Sequence, residues 1–430
     1  MYLTPLAILY TALGLIPLLL VPSVWTLIVW IVVGGVLVLV DLWLAHSPQL
    51  LTVERTTSQS TRLDSPARST LTLRNPTGEK YRGQVRDAWP PSAQANHPVH
   101  SFHLDAQDGS RVVTELLPSR RGTVTAGPIT IRSRGPLGLA GRQVSLVSPA
   151  QVLVLPPFYA RRHLPSRLQR LNQINGSTPL INRGAGSEFD SLREYVRGDD
   201  IRDIDWRATA RSRDLMVRTW RPERDQDVII INDSSRNSAP RIDGFPRLEA
   251  QIETALLLAA LSSHAGDKVH YLDVESSVRA RVTGVGAKQI VHAIAVPAAS
   301  IDATLGEINW NLIPHEVSRL TSHSALVVIL TSVDSTSLDS GLMQAVVQLT
   351  ERHKVILASA VDTKLKQMAL GEDPETDLYE SAAAQITLLN SQGVKTEFAS
   401  LGAYLVEGSA EELPPLVADK YLLLKSMGAL

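Results

Sequence analysis

The stretch Val228-Ile-Ile-Ile-Asn-Asp-Ser-Ser-Arg-Asn-Ser238 decides the fold of the C-terminal half. Four apolar residues followed at once by polar ones are typical of a buried strand in a parallel sheet. Further strands are predicted at Lys268–Val274, Ala325–Thr331, Lys354–Ala360 and Val394–Phe398, and helices at Leu248–His264 and near Ser340–Glu351, Glu375–Leu389 and Glu411–Leu424. This alternation predicts a mainly parallel sheet with helices on both faces and binding sites beyond the carboxyl ends of its strands.

The N-terminal segment carries no charged residue from Met1 to Val40. One helix of that length would measure about 60 Å, twice the roughly 30 Å of a hydrocarbon core. Pro22-Ser23 lies where a break is needed. We therefore predict a hairpin of two transmembrane helices, Leu3–Val21 and Val24–Leu44. A cleaved signal peptide is the weaker alternative, because no basic region precedes the apolar run.

The flanking charges predict the orientation of this hairpin. Arg55 and Arg62 follow the second helix, whereas the turn between the helices has no basic residue. Since basic residues favour the cytoplasmic side, we expect a multi-pass cell-membrane protein with two helices and cytoplasmic soluble domains. Its contact with the lipid bilayer would be made by the hairpin.

The rest of the chain divides by composition into three segments. Residues 47–155 show short alternating stretches such as Ser69–Arg74, separated by turn signals such as Asn75–Gly78, and predict a small β-sandwich. Residues 156–226 are rich in arginine and aspartate, and residues 227–430 form the α/β domain. With the hairpin at residues 1–46, the prediction comprises four segments.

Composition excludes several classes of function. The 42 Lys and Arg residues balance 43 Asp and Glu residues, so no strong field attracts nucleic acid, and we expect no nucleic-acid partner. The absence of cysteine excludes thiolate metal sites and cysteine nucleophiles. The sequence contains no phosphate-binding loop of the Walker type, no zincin motif and no nucleophile elbow. We therefore expect a protein that is not an enzyme.

Residues 161–225 contain fourteen arginines, no lysine and ten acidic residues. Mixed charges of this kind favour a network of ion pairs that fixes an irregular segment. The alternative is an anion or phospholipid site formed by a group of arginines without a neighbouring acid, Arg161, Arg162, Arg167 and Arg170.

The loop after the first α/β strand is the candidate metal site. Asp233, Ser235 and Asn237 alternate, which in an extended loop turns three oxygen-bearing side chains toward one point. Hard cations such as Mg²⁺ or Mn²⁺ favour these ligands, and Asp334 could add a second carboxylate. The alternative is a helix cap or a solvated turn.

A longer motif resembles a known family. The run from Ser187 to Arg211, with Leu215–Arg218 after it, resembles the hallmark of the bacterial family called domain of unknown function 58 (DUF58). The motif residues, whose role is unknown, are Glu188, Arg193, Tyr195, Gly198, Asp199, Arg202, Asp205, Trp206 and Arg211.

This resemblance implies a von Willebrand factor A-like, Rossmann-like domain, tethered by a membrane hairpin and often encoded beside a MoxR-type AAA+ ATPase. In such domains a D-x-S-x-S loop, a threonine and a further aspartate form a metal-ion-dependent adhesion site. Asp233 and Ser235 match its first two positions, and Asn237 replaces the second serine. Thr331 and Asp334 lie near the strand end that is expected to supply the further aspartate.

The favoured hypothesis is a membrane-tethered interaction module or adaptor that works with a MoxR-type ATPase in envelope-related assembly or maturation. Asp233 would carry the contact. A hydrolase or transferase that uses residues 198–207, with Asp203 and Asp205 as an acid–base pair, is one alternative. An envelope scaffold that needs no ATPase is the other.

Overall fold

The computed structural model describes residues 1–177, 188–196, 199–212, 214–221, 226–333, 341–370 and 377–430. Their contacts divide the chain into two compact units, Met1–Pro157 and Phe158–Leu430. The first unit joins apolar helices to a large β-rich region, and the second is mixed α/β.

The first unit contains helices α1 (Pro5–Leu13), α2 (Leu15–Leu20) and α3 (Val24–Leu44). Among the described residues, one helical stretch of 27 residues, Val24–Leu50, is long and apolar enough to cross a membrane. By the same criteria this stretch also suits a signal sequence. The coarse expectation of an N-terminal apolar segment able to anchor the protein therefore holds.

The prediction of two transmembrane helices, and with it of a two-helix multi-pass anchor, is wrong. The apolar segment before the turn, Pro5–Leu20, falls in the class of shorter apolar helices. Its sixteen residues span about 24 Å, less than the roughly 30 Å of a hydrocarbon core. Gly14 separates α1 from α2, and the Trp30 indole fills the space beside it. A charge-free length measures apolar content and not the length of a continuous helix, and for this reason it overestimated the number of membrane spans.

The β-rich region consists of short, mostly antiparallel strands. They are β1 (Tyr2–Leu3), β2 (Thr52–Thr57), β3 (Ser60–Arg62), β4 (Ala67–Arg74), β5 (Tyr81–Asp87), β6 (Ala95–Asn96), β7 (Val99–Leu104), β8 (Gly109–Leu116), β9 (Gly122–Thr125), β10 (Ile129–Arg134), β11 (Ala140–Leu146) and β12 (Gln151–Leu155). In the described residues they pair in the orders β1-β11-β10-β5-β7, β2-β4-β8-β6 and β3-β12-β9. Within these sheets, β3 and β12 form a parallel pair. Residues 47–155 are thus β-rich, as the alternating stretches predict.

A buried ion pair lies inside the β-rich region. The Arg55 Nη2 atom is 2.6 Å from Asp87 Oδ1, and both side chains are fully buried. Arg55 Nη1 also donates to the carbonyl oxygens of Gly127 and Ser148, at 3.0 and 2.6 Å. Arg55, which the sequence offers as a charge flanking the membrane, therefore also joins three segments of this core.

The second unit alternates helices and strands. Its helices are α4 (Leu164–Ser177), α5 (Trp206–Thr209), α6 (Arg247–His264), α7 (Ile290–Ser300), α8 (Leu312–Leu320), α9 (Leu342–Thr350), α10 (Thr363–Leu370), α11 (Leu378–Ser400) and α12 (Leu413–Ser426). Its strands are β13 (Glu188–Glu194), β14 (Met216–Arg221), β15 (Asp227–Asp233), β16 (Arg241–Ile242), β17 (Phe245–Pro246), β18 (Lys268–Val274), β19 (Val278–Val282), β20 (Ala325–Leu330), β21 (Lys354–Ala360) and β22 (Tyr404–Gly408).

The central sheet of this unit has the strand order β19-β18-β15-β20-β21-β22. Strands β18, β15, β20, β21 and β22 are parallel, and the edge strand β19 is antiparallel. Helices α6 and α12 pack on one face, while residues of α8, α9 and α11 join the core cluster on the other. The run Val228–Ile231 lies in the middle of the sheet and is completely buried, which explains why it lacks the alternation of a surface strand.

One predicted strand is a helix. Val394–Phe398 lies within α11, which begins at a capping box formed by Asp377 and Glu380. Val394 and Phe398 are four residues apart and both buried, so they form one apolar face of a helix. The last strand of the sheet is β22, ten residues further along the chain.

Candidate functional site

The candidate site is built around the carboxyl group of Asp233, the last residue of β15. This side chain is completely buried. Its Oδ1 atom accepts a hydrogen bond from the backbone N–H of Ser235 (2.8 Å), and its Oδ2 atom accepts one from the hydroxyl of Thr331 (2.6 Å). Ser238 donates its hydroxyl to the carbonyl oxygen of Asp233 at 2.6 Å. The loop 234–238 is therefore folded around this one carboxyl group.

The neighbouring residues face the opposite side and meet a second buried acid, Asp273 on β18. Ser234 donates its hydroxyl to Asp273 Oδ1 (2.5 Å), and the Asn232 amide donates to Oδ2 (2.7 Å). The Tyr271 hydroxyl also donates to Oδ2, at 3.3 Å. Because side chains alternate along an extended backbone, Asn232 and Ser234 fix the loop on one side while Asp233 and Ser235 line the other.

Burial controls the acidity of both carboxyl groups. Loss of solvation raises the pKa of Asp233, and hydrogen bonds from Ser235, Thr331 and Asn237 only partly oppose this. Burial likewise raises the pKa of Asp273, against hydrogen bonds from Ser234 and Asn232. The groups that hydrogen-bond to Asp233 are all neutral. Within the described part of the chain, Asp233 forms no ion pair with a basic side chain, so neutral donors must stabilise its ionised form.

The oxygen atoms around Asp233 suit a hard cation. The hydroxyls of Thr331 and Ser235 hydrogen-bond to the carboxyl group, which leaves oxygen lone pairs for a ligand. Mg²⁺ prefers such oxygen ligands together with one or two carboxylates and water. No group of three or more His, Cys, Asp or Glu side chains suited to a metal occurs among the described residues. Any cation here would thus depend on one carboxylate and neutral oxygens.

Two residues of this site were not assigned a role from the sequence. Thr331 was placed at the correct strand end, but its bond to Asp233 depends on the parallel register of β15 and β20. Asp273 was missed, although an acidic residue inside the apolar run Lys268–Val274 is a usable signal. Asn237, a predicted ligand, hydrogen-bonds to Asp233 and is half-buried. Asp334, the predicted second carboxylate, lies outside the described residues.

The loop is also attached to the strand on the far side of β20. The Arg247 guanidinium donates to the carbonyl oxygens of Asn237 (2.5 Å) and Ala360, the last residue of β21 (3.2 Å). Arg236, beside it, is exposed and pairs with Glu307 at 3.1 Å. The surface above the buried acid therefore presents Arg236 and some of Asn237 to solvent.

The family-motif segment forms a small separate scaffold. Strands β13 and β14 pair antiparallel. Arg193 makes a bidentate pair with Asp199, at 2.8 and 2.6 Å, and the Val196 backbone N–H donates to the same carboxylate. This pairing raises the pKa of the Arg193 guanidinium. The contacts hold the turn after β13 in place.

Asp205 has a structural role in the same segment. It caps α5 by accepting the backbone N–H groups of Arg207 and Ala208, and it pairs with Arg218 at 2.9 Å. The Ala208 N–H, followed by Arg218, lowers the pKa of Asp205. A carboxyl group held in its ionised form is a poor general acid. These contacts weaken the hypothesis that Asp205 performs acid–base chemistry.

The remaining motif residues lie around this scaffold. Trp206 begins α5 and is 66% exposed. The backbone N–H of Tyr195 bonds to the Leu215 carbonyl, and that of Arg202 bonds to Asp200. Arg211 follows α5, and Glu188 begins β13. Gly198 lies outside the described residues.

Three of the four arginines proposed as an anion site have carboxylate partners. Arg162 pairs with Glu411 (3.1 Å), and Arg167 and Arg170 both pair with Asp419 on α12 (2.7 and 3.1 Å). These contacts favour the ion-pair network over a site for an anion or a phospholipid.

Comparison with known proteins places this segment and the Asp233 cluster in one domain. Residues 191–404 match the family model described as "Protein of unknown function DUF58". The chain contains a DUF58 domain. This domain begins in β13 and ends at the first residue of β22, so it includes the Arg193–Asp199 pair, Asp205 and the buried acids Asp233 and Asp273.

The chain is also similar to individual proteins, at low sequence identity. The chain is 24% identical over 165 residues to "Uncharacterized protein YeaD" of Bacillus subtilis (strain 168), a match that covers 38% of this chain and 39% of the relative. The structure is similar to the SpRpn10 VWA domain, with 10% identity, a TM-score of 0.29 and coverage of 46% and 94%. It is also similar to the CARDB domain of the Pyrococcus furiosus PF1109 protein, with 15% identity, a TM-score of 0.18 and coverage of 24% and 87%. Scores this low say nothing about function.

Proposed function

We propose that the protein is a membrane-tethered interaction module whose DUF58 domain binds a protein partner at the carboxyl edge of its parallel sheet. The observation that supports this most is the Asp233 carboxyl group, which is completely buried and bonded only to neutral donors. Two strands and a loop converge to hold it there, although such a group costs folding free energy. A ligand at the loop would offset that cost.

We propose that the ligand includes Mg²⁺ or Mn²⁺, held by Asp233, Ser235, Thr331 and Asn237. Such a cation would supply positive charge beside the buried carboxylate and an open coordination position for an acidic side chain of the partner. The protein's own contribution is to fix the loop, through Asp273 on one side and Arg247 on the other. Complementary groups fixed before binding reduce the entropy lost on association.

The proposed partner is a MoxR-type AAA+ ATPase, with a role in envelope-related assembly or maturation. The resemblance to the DUF58 family supports this proposal. We also propose that the soluble domains are cytoplasmic, because Arg55 and Arg62 follow the apolar helix α3. Neither nucleic acid binding nor catalysis belongs to the proposal. The contacts of Asp205 with Arg218 and α5 support a structural role against the hydrolase or transferase alternative.

Co-purification of the proposed MoxR-type ATPase with this protein from detergent extracts tests this function. We expect Asp233→Asn to lower recovery of the ATPase at least about tenfold, because loss of a buried charged contact costs roughly 2–5 kcal/mol of binding. EDTA should have the same effect on the wild-type protein. The control is Glu351→Gln, an exposed acid just after α9, which should leave recovery unchanged.

Two results would contradict the proposal. Equal recovery with wild type and Asp233→Asn would exclude the loop as the contact. No recovery of the ATPase with any variant, including the wild type, would exclude it as the partner.

A further inference from the structure

Another buried carboxyl group lies at the end of the apolar helix α3, far in sequence from the Asp233 loop. Asp41 is completely buried, three residues before the last residue of α3. Its Oδ1 atom accepts the backbone N–H of Leu137 (2.7 Å), and its Oδ2 atom accepts those of Leu139 (2.7 Å) and Ala140 (2.8 Å). Three backbone donors from one turn thus converge on one carboxyl group.

The turn that supplies these donors, residues 135–140, approaches Asp41 very closely. A Cβ atom on Gly135 would lie 2.2 Å from Asp41 Oδ1 and 2.5 Å from the Asp41 carbonyl oxygen. Gly138 has a φ of +72°, which other residues rarely adopt. The backbone therefore approaches the carboxyl group as closely as it does only because glycine occupies both positions.

The first residues of the chain hold the same turn from its other side. The Thr4 hydroxyl donates to the Gly138 carbonyl oxygen at 2.5 Å, and the Thr4 backbone N–H donates to that of Leu139 at 3.0 Å. Strand β1 then pairs antiparallel with the start of β11. Residues from both ends of the apolar segment, Thr4 at its start and Asp41 near its end, therefore hold this turn in place.

The residues after α3 are also fixed, so they do not form a flexible linker. The carbonyl oxygens of His46 and Ser47 accept the hydroxyls of Ser133 (2.7 Å) and Tyr81 (3.2 Å). Leu51 is 3% exposed and belongs to the core of the β-rich region. Together with Asp41, these contacts connect the end of α3 to strands β5, β10 and β11.

We infer that residues 135–140 are a receptor for the Asp41 carboxylate, and that this contact joins α3 rigidly to the β-rich region. The tether would then set the orientation of the β-rich region relative to the membrane instead of letting it move freely. An acidic side chain near the membrane boundary is costly unless it is satisfied, and the three N–H donors satisfy it. This inference is independent of the Asp233 site.

Hydrogen exchange and spin-label distances test this inference in the full chain, reconstituted in lipid nanodiscs. The chain has no cysteine, so Val36→Cys on α3 and Ser101→Cys on β7 provide a unique pair of labels. In Asp41→Asn, we expect the amides of Leu137, Leu139 and Ala140 to exchange about 10- to 100-fold faster, because a hydrogen bond to a charged group is lost. The distance distribution between the labels should broaden. The matched control, Glu115→Gln on the exposed face of β8, should change neither.

Gly135→Ala should break the contact between Asp41 and residues 135–140 in a second way, since the added methyl group displaces the Asp41 carboxylate without removing its charge. Unchanged exchange and distances in a folded Asp41→Asn protein would overturn the inference. A measurement without that variant guards against misfolding: a Gly-Ser insertion between His46 and Ser47 leaves the Asp41 contact intact and should therefore keep the distance distribution as narrow as in the wild type. A broad distribution in the insertion variant would show that the linker, and not Asp41, holds α3. If the wild-type distribution is already as broad as that of Asp41→Asn, the rigid connection does not exist.

Discussion

Replacing Arg55 by alanine is expected to lower the free energy of unfolding of the β-rich region by about 3–5 kcal/mol, the typical effect of removing one partner from a buried ion pair. Asp87 would remain as an uncompensated charge, since its side chain is fully buried. The carbonyl oxygens of Gly127 and Ser148 would lose their donor as well. The loss of stability should appear as a lower urea concentration at the midpoint of unfolding. Hydrogen exchange in peptides from residues 52–155 of the detergent-solubilised chain measures this midpoint.

Arg68→Ala is the matched control for this change, because Arg68 is exposed on the neighbouring strand β4. Its effect should stay within about 0.5 kcal/mol, as for most surface substitutions. If Arg55→Ala and Arg68→Ala had the same small effect, the ion pair would not stabilise the core.

A divalent cation should stabilise the DUF58 domain, and Asp233→Asn should abolish that effect. A ligand present at 100 times its dissociation constant adds about 2.7 kcal/mol to the stability of the form that binds it. Asparagine keeps an acceptor for the Ser235 N–H but removes the charge that holds a cation. The measurement is thermal unfolding of the full chain in detergent with and without Mg²⁺ or Mn²⁺, compared with the control Glu351→Gln. Equal stabilisation of Asp233→Asn would contradict the proposed cation site.

Asp233 should also make the free energy of unfolding depend on pH when no cation is bound. Burial raises the pKa of Asp233, so the folded state keeps a proton that the unfolded state has released above about pH 4. Its contribution to stability is therefore full below that pH and is lost as the pH rises through the folded-state pKa. A cation favours the ionised form and should restore stability at neutral pH. Asp233→Asn should reduce the dependence on both pH and cation.

The α/β half was readable from the sequence because its central strands are fully buried. Val228–Ile231 could pack only between two layers of helices, and the polar residues after it had to lie at the carboxyl edge. The contact between Thr331 and Asp233 was harder to foresee, because it depends on which strands are neighbours in the sheet. Nothing in the spacing of residues 233 and 331 encodes that adjacency.

The structure of the N-terminal half was predicted less accurately from the sequence. The apolar run was recognised, but its division into one long and two short helices depends on local breaks at Gly14 and Pro22. Arg55 was interpreted only as a flanking charge, although it lies two residues after Val53 and so shares its face of β2. The Asp41 contact joins residues almost one hundred positions apart, and no local pattern predicts it.

Site-specific photocrosslinking in living cells tests the central claim most directly, that the carboxyl edge of the parallel sheet binds a protein partner. A crosslinking amino acid would replace Arg236, exposed at that edge, or Lys354, exposed at the amino end of β21 on the opposite edge. We predict a discrete crosslinked protein from position 236 that disappears in Asp233→Asn, and none from position 354. Crosslinks from position 354 alone, or crosslinks from position 236 that persist in Asp233→Asn, would contradict the account.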